Sequence, residues 1–166
     1  MKNKKIVSMI VMFSIFINII SGLHIDAQAE NTENSETYLW DFSKYTPDIV
    51  IVAIGQNDSH PDDYMKTDYE GEKAKNWRTH YRQFLAKLRE TYPDAWIICC
   101  TTLLQHDIGW DMSISQAVLD IADKKISHCV FQRNGKATPG HLRIPEAEEM
   151  AEELCHYIHS LNIEGY

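Results

Sequence analysis

The 166-residue sequence has the length of a single domain and a formal net charge of −8. Nucleic acids and anionic membrane surfaces attract basic faces, so this charge argues against both as partners of the folded part. Three of the four cysteines, Cys99, Cys100 and Cys129, lie in apolar runs and no CxxC spacing occurs, so we expect buried thiols. The sequence contains no dinucleotide fingerprint or phosphate-binding loop, and it predicts no cofactor and no metal ion.

Residues 1–29 have the features of a secretory signal peptide. Three lysines among the first five residues precede an apolar run at 6–20, and Ala27-Gln28-Ala29 offers a small-x-small cleavage site. The alternative is a permanent membrane anchor, because the apolar run is nearly as long as a spanning helix needs. In either case we expect an exported domain, secreted after cleavage or tethered to the membrane through this segment alone.

The rest of the chain divides into a flexible polar lead-in, residues 30–38, and one domain, residues 39–166. Buried β-branched runs alternate with amphipathic segments, which is typical of βαβ units around a parallel sheet. The predicted elements are a strand at 48–54, a long polar loop at 55–71, a helix at 72–90, a strand at 95–101, a helix capped by Ser113 or Ser115 and ending near 125, a strand at 127–131, and a helix from Pro145 to near 161.

Two loops that follow predicted strands contain candidate catalytic residues. In open α/β sheets reactive groups gather at the carboxyl ends of strands. Gly55-Gln56-Asn57-Asp58 follows the first apolar strand, where Gly55 allows a tight turn and the amide of Asn57 could donate to an oxyanion. An ordinary turn closing the strand would give the same pattern. Thr138-Pro139-Gly140-His141 precedes the last helix, and His141 is either a general base or an ordinary loop histidine.

These two blocks resemble the third and fifth conserved blocks of the SGNH (GDSL-like) hydrolases. Gly55-Gln56-Asn57-Asp58 is similar to the Gly-x-Asn-Asp block, and the stretch from Pro139 to Ala151 to the histidine block. Trp40-Asp41-Phe42, Pro47-Asp48-Ile49-Val50 and Ile108-Gly109-Trp110-Asp111 resemble the bacterial subgroup close to carbohydrate esterase family two. The resemblance covers about residues 38–160 and concerns the C-terminal part of the family's domain.

The resemblance implies a three-layer, flavodoxin-like α/β fold whose parallel sheet lacks the family's first two strands. It implies an acyl or acetyl esterase for carbohydrate or other small esters, in which Gly55 and Asn57 form the oxyanion hole and His141 activates a serine. The sequence departs from the family at Thr138, where an aspartate is usual, and at Leu142, where this subgroup commonly has proline. A backbone carbonyl would then orient His141, as in a Ser-His dyad.

The family's Gly-Asp-Ser nucleophile block has no counterpart upstream. The stretch from Glu30 to Asp48 is too short for two strands and a crossover helix. Asn57-Asp58-Ser59 echoes the block, so Ser59 is an alternative nucleophile. The chain is therefore predicted to be an incomplete esterase, a half-domain that needs a partner chain, or a glycan- or ester-binding remnant. The unpaired strand edge would favour self-association.

Two weaker clusters could ligate a metal but are more typical of solvated surface. His60-Pro61-Asp62-Asp63 lies in the long polar loop, and His156 and His159 share a face of the last predicted helix. We expect both clusters to be exposed.

Overall fold

The computed structural model describes residues 6–7 and 41–163, and it shows a parallel sheet between helices. The sheet has four strands in the order β1-β2-β3-β4, and every neighbouring pair is parallel. Their bounds are β1 Ile6–Val7, β2 Ile49–Ala53, β3 Trp96–Cys100 and β4 Ile126–His128. The helices are α1 Tyr64–Thr67, α2 Glu72–Thr91, α3 Ile108–Ile121 and α4 Ile144–Ser160, and short 3-10 turns lie at Phe42–Lys44 and Gln56–Ser59.

The core has two halves, one on each face of the sheet, and this confirms the three-layer α/β prediction. Successive residues of a strand point to opposite faces. Val50 and Val52 of β2 therefore pack with α2 and α3, whereas Ile49 and Ile51 pack with α4. Both faces of β2 are covered, which explains why its sequence is apolar without alternation. The predicted stripe of α2 packs inward, with Trp77, Tyr81 and Leu85 fully buried and Phe84 and Leu88 partly buried.

The strand β1 differs from the sequence prediction, which counted three strands and left one edge of β2 unpaired. Ile6 pairs with Ile49 and Val7 with Val50, so β1 covers the first two residues of that edge. The other residues of the predicted signal peptide lie outside the described part of the chain. In a chain cleaved after Ala29 the strand β1 would be removed. Cleavage and this pairing therefore exclude each other in one molecule.

The start of α3 was predicted wrongly. The helix begins at Ile108, because the Asp107 side chain caps it and accepts a hydrogen bond from the backbone N–H of Gly109 at 2.9 Å. The predicted caps have other contacts. Ser113 is buried and donates to the sulfur of Met65, and Ser115 bonds to His128. The helix ends at Ile121, where Ala122 adopts the left-handed conformation, four residues before the predicted end.

The helix α1 was not predicted, because it lies within the segment 55–71 that was expected to be a polar loop. The other elements lie close to their predicted positions, except that the last strand is shifted. β4 covers Ile126–His128 instead of 127–131, because the chain turns away after Cys129. Cys99, Cys100 and Cys129 are buried free thiols as predicted, and Cys155 is exposed on α4. Among residues 41–163, none of the helices has the length and apolarity that a bilayer-spanning segment needs.

Candidate active site

Gly55 forms a turn at the carboxyl end of β2 that a side chain would strain. Its φ is 123°, in the region that favours glycine, and a Cβ added here would lie 3.2 Å from Cζ2 of Trp77 and 3.6 Å from Cε3 of Trp110. The two indole rings meet edge to face with centroids 5.4 Å apart. The backbone of Gly55 therefore rests directly on a rigid aromatic base.

The 3-10 turn after Gly55 separates the side chains of Gln56 and Asn57. Gln56 is buried, and its Oε1 accepts a hydrogen bond from Oγ1 of Thr102 at 3.0 Å. Asn57 is exposed, and its amide makes no hydrogen bond with any other residue in the described part of the chain. The amide of Asn57 is thus available to a ligand above the sheet edge.

Asp58 and Asp63 fix the loop that contains Asn57. The indole N–H of Trp77 donates to Asp58 at 2.9 Å, and the indole N–H of Trp110 donates to Asp63 at 3.0 Å. One oxygen of the Asp58 carboxylate is therefore engaged with α2. The loop is held against α2 and α3 by side chains of both helices.

Ser59, the alternative nucleophile, follows on the same turn. Its Oγ lies 3.0 Å from Nδ1 of the neighbouring His60, and the pair is at the surface. His60 is exposed, as are His156 and His159 on α4. Within residues 41–163 no group of three or more His, Cys, Asp or Glu side chains is arranged to hold a metal ion.

The loop before α4 exposes His141 and buries Thr138. The backbone oxygen of Thr138 accepts from the N–H of Gln105 at 2.7 Å, and Leu104 and Thr138 form an isolated parallel bridge. The Thr138 hydroxyl accepts from the N–H of Gly140 at 3.3 Å. It is therefore engaged with the backbone of its own loop, and no hydrogen bond between Thr138 and His141 occurs in the described structure.

Asn57 and His141 lie in loops at the same edge of the sheet, because every strand is parallel and both loops follow strand ends. The segment after β3 connects the two loops. Thr102 bonds to Gln56 on one side, and Gln105 bonds to Thr138 on the other. No hydrogen bond joins Asn57 to His141 among the described residues. Their approach around one substrate stays a prediction.

A buried carboxylate beneath these loops was missed by the sequence analysis. Asp111 of α3 accepts hydrogen bonds from the hydroxyl of Thr101 at 2.7 Å and from the amide of Asn134 at 2.8 Å. His106 places Nε2 2.9 Å from Asp111 and Nδ1 2.6 Å from the carbonyl of Leu104. The end of β3, the segment before α3 and the turn after β4 all converge on this carboxylate. The sequence signal that could have indicated it is Asp111 itself, an aspartate in the first turn of a helix with many apolar residues.

The two partners stabilise each other's charged forms. Burial opposes the ionisation of Asp111, but the hydrogen bonds from His106 and Thr101 outweigh it, and the pKa of Asp111 is lowered. Burial likewise opposes protonation of His106, but the hydrogen bond and charge of Asp111 raise its pKa above 6.5. Both ring nitrogens of His106 face acceptors, which agrees with a protonated imidazole.

Comparisons with known proteins connect this geometry to one class of enzymes. No protein-family model matches the sequence. The cellulase/esterase CelE of Acetivibrio thermocellus is 31% identical over 125 residues, which are 69% of this chain and 14% of that protein.

Two solved structures are similar to this chain. A family two carbohydrate esterase from Clostridium thermocellum, solved in complex with cellohexaose, is 29% identical with a TM-score of 0.59, over 75% of this chain and 39% of that chain. A family two carbohydrate esterase from Cellvibrio japonicus has a TM-score of 0.59 at 19% identity, over 78% of this chain and 38% of that chain, and shows the fold alone.

The layered fold and the two blocks at its sheet edge are those of an SGNH-type hydrolase domain. Within that class the chain is similar to the family two carbohydrate esterases, over part of their length. This chain spans 14% of the length of CelE and 39% of the length of the Clostridium thermocellum esterase.

Proposed function

We propose that this chain provides the oxyanion donor and the general base of a carbohydrate-ester hydrolase, and that the nucleophilic serine comes from a segment outside this chain. The observation that supports the proposal is the Gly55 turn, which packs on Trp77 and Trp110 and is followed by the exposed Asn57. The predicted export of the domain suits an enzyme that acts on extracellular polysaccharide esters.

The proposed mechanism divides acyl transfer between two polypeptide segments. His141 takes the proton of the serine hydroxyl as it attacks the ester carbonyl, and later returns a proton to the leaving alcohol. The amide of Asn57 donates to the oxyanion of the tetrahedral intermediate. A backbone carbonyl orients the imidazole, since the hydroxyl of Thr138 bonds to Gly140 instead.

The proposed substrate is an acylated oligosaccharide. CelE is named as a cellulase and esterase, and the Clostridium thermocellum esterase was solved with cellohexaose bound. An exposed site at a sheet edge suits a ligand that is part of a polymer, because it leaves room for neighbouring sugar units.

The test is complementation. The chain alone should release acetate from acetylated cello-oligosaccharides at close to the background rate. Addition of a polypeptide that carries the family's preceding βα units should create esterase activity. Asn57→Ala should then lower kcat by about 10²–10³-fold, the typical loss for one oxyanion donor. His141→Ala should abolish turnover, and His156→Ala, a change at an exposed histidine of α4, should leave it unchanged.

Two outcomes would contradict the proposal. Complemented activity that is indifferent to Asn57→Ala and His141→Ala would place the chemistry elsewhere. Turnover by the chain alone that Ser59→Ala abolishes would make Ser59 the nucleophile and the chain self-sufficient. The engagement of Thr138 with Gly140 favours a second candidate function, a glycan-binding remnant. Binding of acetylated cello-oligosaccharides without hydrolysis under every complemented condition would support that candidate.

A further inference from the structure

A pocket of about 550 Å³ opens along one face of α3, and its lining includes neither Asn57 nor His141. Ile108, Met112, Ser115 and Leu119 recur every three or four residues and form one wall. The opposite wall is the segment 130–134, which follows β4. Ile108 and Leu119 are 70% and 71% exposed, so the mouth of the pocket is unusually apolar for a surface.

The floor of this pocket is polar. Asp111 lines it together with His106 and Asn134, two of its hydrogen-bond partners. Ser115 lies one helical turn after Asp111 and also lines the pocket. An apolar wall above a few convergent polar groups is the usual composition of a small-molecule site.

Ser115 bonds to a histidine that the proposed function does not use, and the other ring nitrogen of that histidine faces Asp111. Oγ of Ser115 lies 2.7 Å from Nδ1 of His128, the last residue of β4. Nε2 of His128 lies 3.7 Å from Oδ1 of Asp111, and the His128 side chain is 6% exposed. Among the described residues Nε2 has no hydrogen-bond partner, and Asp111 is the acceptor that it faces.

This geometry selects one arrangement of protons. A buried N–H is stabilised when it points at a carboxylate, so the proton of a neutral His128 belongs on Nε2, toward Asp111. Nδ1 then carries the lone pair, and it accepts the hydrogen of the Ser115 hydroxyl. Serine, imidazole and buried carboxylate stand in the order that activates a serine for nucleophilic attack.

We propose that Ser115 is a nucleophilic serine that accepts an acyl group from a small uncharged ester bound in this pocket, with His128 as the base and Asp111 as the positioning carboxylate. The bond between Ser115 Oγ and the acyl carbon forms, and the bond between that carbon and the alcohol oxygen breaks. The Ser115 proton passes to Nδ1 of His128 and from there to the departing alcohol oxygen. Water reverses the sequence and releases the acid. The site would be independent of Asn57 and His141.

The surroundings of Ser115 predict that acylation is faster than release. Its backbone N–H lies within α3 and is used by the helix, so it cannot stabilise an oxyanion as it does at a strand–helix turn. The side chains of Gln116 and Lys136 line the same pocket, and Lys136 is the one lysine or arginine among the lining residues. The side chains of Gln116 and Lys136 are flexible donors to the oxyanion, and they stabilise it less well than a fixed oxyanion hole would. We therefore expect acyl-enzyme to accumulate.

The experiment uses the full chain and two reagents. With 4-nitrophenyl butanoate we expect a burst of about one nitrophenolate per chain, followed by slow turnover, which is the usual sign of an accumulating acyl-enzyme. With an alkyl fluorophosphonate, mass spectrometry should find one adduct, on Ser115. Ser115→Ala should remove burst and adduct. His128→Gln should slow labelling by at least about tenfold, since a general base typically contributes 10²–10⁴-fold. Ser160→Ala, at an exposed serine of α4, should change nothing.

A second variant keeps the test valid if His128→Gln fails to fold. Met112 is half exposed at the mouth of the pocket, and Met112→Trp should fill the entrance without touching the Ser115–His128 hydrogen bond. Labelling of Ser115 should fall at least about tenfold by that steric block, while Glu152→Trp on the exposed face of α4 should leave it unchanged. Unchanged labelling in Met112→Trp would overturn the pocket assignment. A folded chain that stays unlabelled at Ser115 would overturn the proposal.

An adduct at another serine separates this proposal from the proposed function. Label on Ser59, or label that requires His141, would belong to the candidate site around Asn57 and His141, the edge site, and would likewise overturn the assignment to Ser115. Conversely, failure of the complementation experiment would leave labelling of Ser115 unaffected, because neither reagent depends on a second polypeptide.

Discussion

Two groups of polar residues lie near the carboxyl edge of this sheet, and they are built in opposite ways. In the edge site the candidate side chains, Asn57 and His141, are exposed, and the residues around them are fixed by backbone turns and tryptophans. In the Asp111 cluster the polar side chains are themselves buried and bind one another. The edge site would thus depend on a ligand or a partner for its geometry, whereas the Asp111 cluster already has its geometry in the isolated chain.

Removal of the Asp111 carboxylate should produce the largest loss of stability. Asp111→Ala removes the acceptor that Thr101, Asn134 and His106 share. A buried polar group that is left without a partner costs about 1–3 kcal/mol. We expect a total loss of about 2–4 kcal/mol in the free energy of unfolding, measured by urea denaturation.

The matched control is Asp120→Ala. Asp120 forms an ion pair with Arg82 at 2.9 Å, and the Arg82 and Asp120 side chains are 34% and 37% exposed. Its loss should be below about 1 kcal/mol, the usual range for surface ion pairs. Equal effects of the two substitutions would show that the Asp111 cluster does not differ from ordinary surface electrostatics.

The next prediction compares two glycines of the edge site. Gly55→Ala forces a side chain into a positive φ and against Trp77, and we expect it to cost about 1–3 kcal/mol. Gly140 lies one residue before His141, and a Cβ added there meets nothing within 4 Å. Gly140→Ala should therefore change the stability by no more than about 1 kcal/mol, and it could be stabilising because alanine restricts the unfolded chain. Thermal unfolding of both variants is the measurement. Similar losses would mean that the two loops are equally constrained.

The same contrast explains what the sequence revealed. The edge site could be proposed from the sequence because Gly55-Gln56-Asn57-Asp58 and Thr138 to His141 are short contiguous patterns that follow strand signals. The Asp111 cluster combines Thr101, His106 and Asn134 with α3, and no local pattern connects positions that lie up to 33 residues apart. It became visible only when the strand ends were placed side by side.

Local structure was predicted correctly where the hydrophobic period of the sequence matches the burial in the structure. It was predicted wrongly where a polar residue that is typical of a helix cap makes a tertiary contact instead. The apolar strands and the stripe of α2 follow directly from hydrophobic pattern. Ser113 and Ser115 are typical caps, but they lie inside α3 and make tertiary contacts instead. The strand β1 was not foreseen, because the same apolar run predicts a signal peptide.

The smallest effect concerns pH, and it tests whether His106 and Asp111 form a charged pair. The raised pKa of His106 adds stability that is complete below the unfolded value of 6.5 and is lost as the pH rises through the higher folded value. The lowered pKa of Asp111 adds stability that is present above 3.8 and is lost as the pH falls toward the lower folded value. The contribution of the pair should therefore be greatest between about pH 4 and pH 6.5.

The measurement compares the wild type with a variant, because His128 and Asp107 also lie near the pair. The difference between the wild type and His106→Gln, followed by urea unfolding at successive pH values, removes what they share. That difference should shrink as the pH rises above 6.5. A difference that stays constant to pH 9 would mean that His106 is neutral throughout and that the cluster is held by uncharged hydrogen bonds alone.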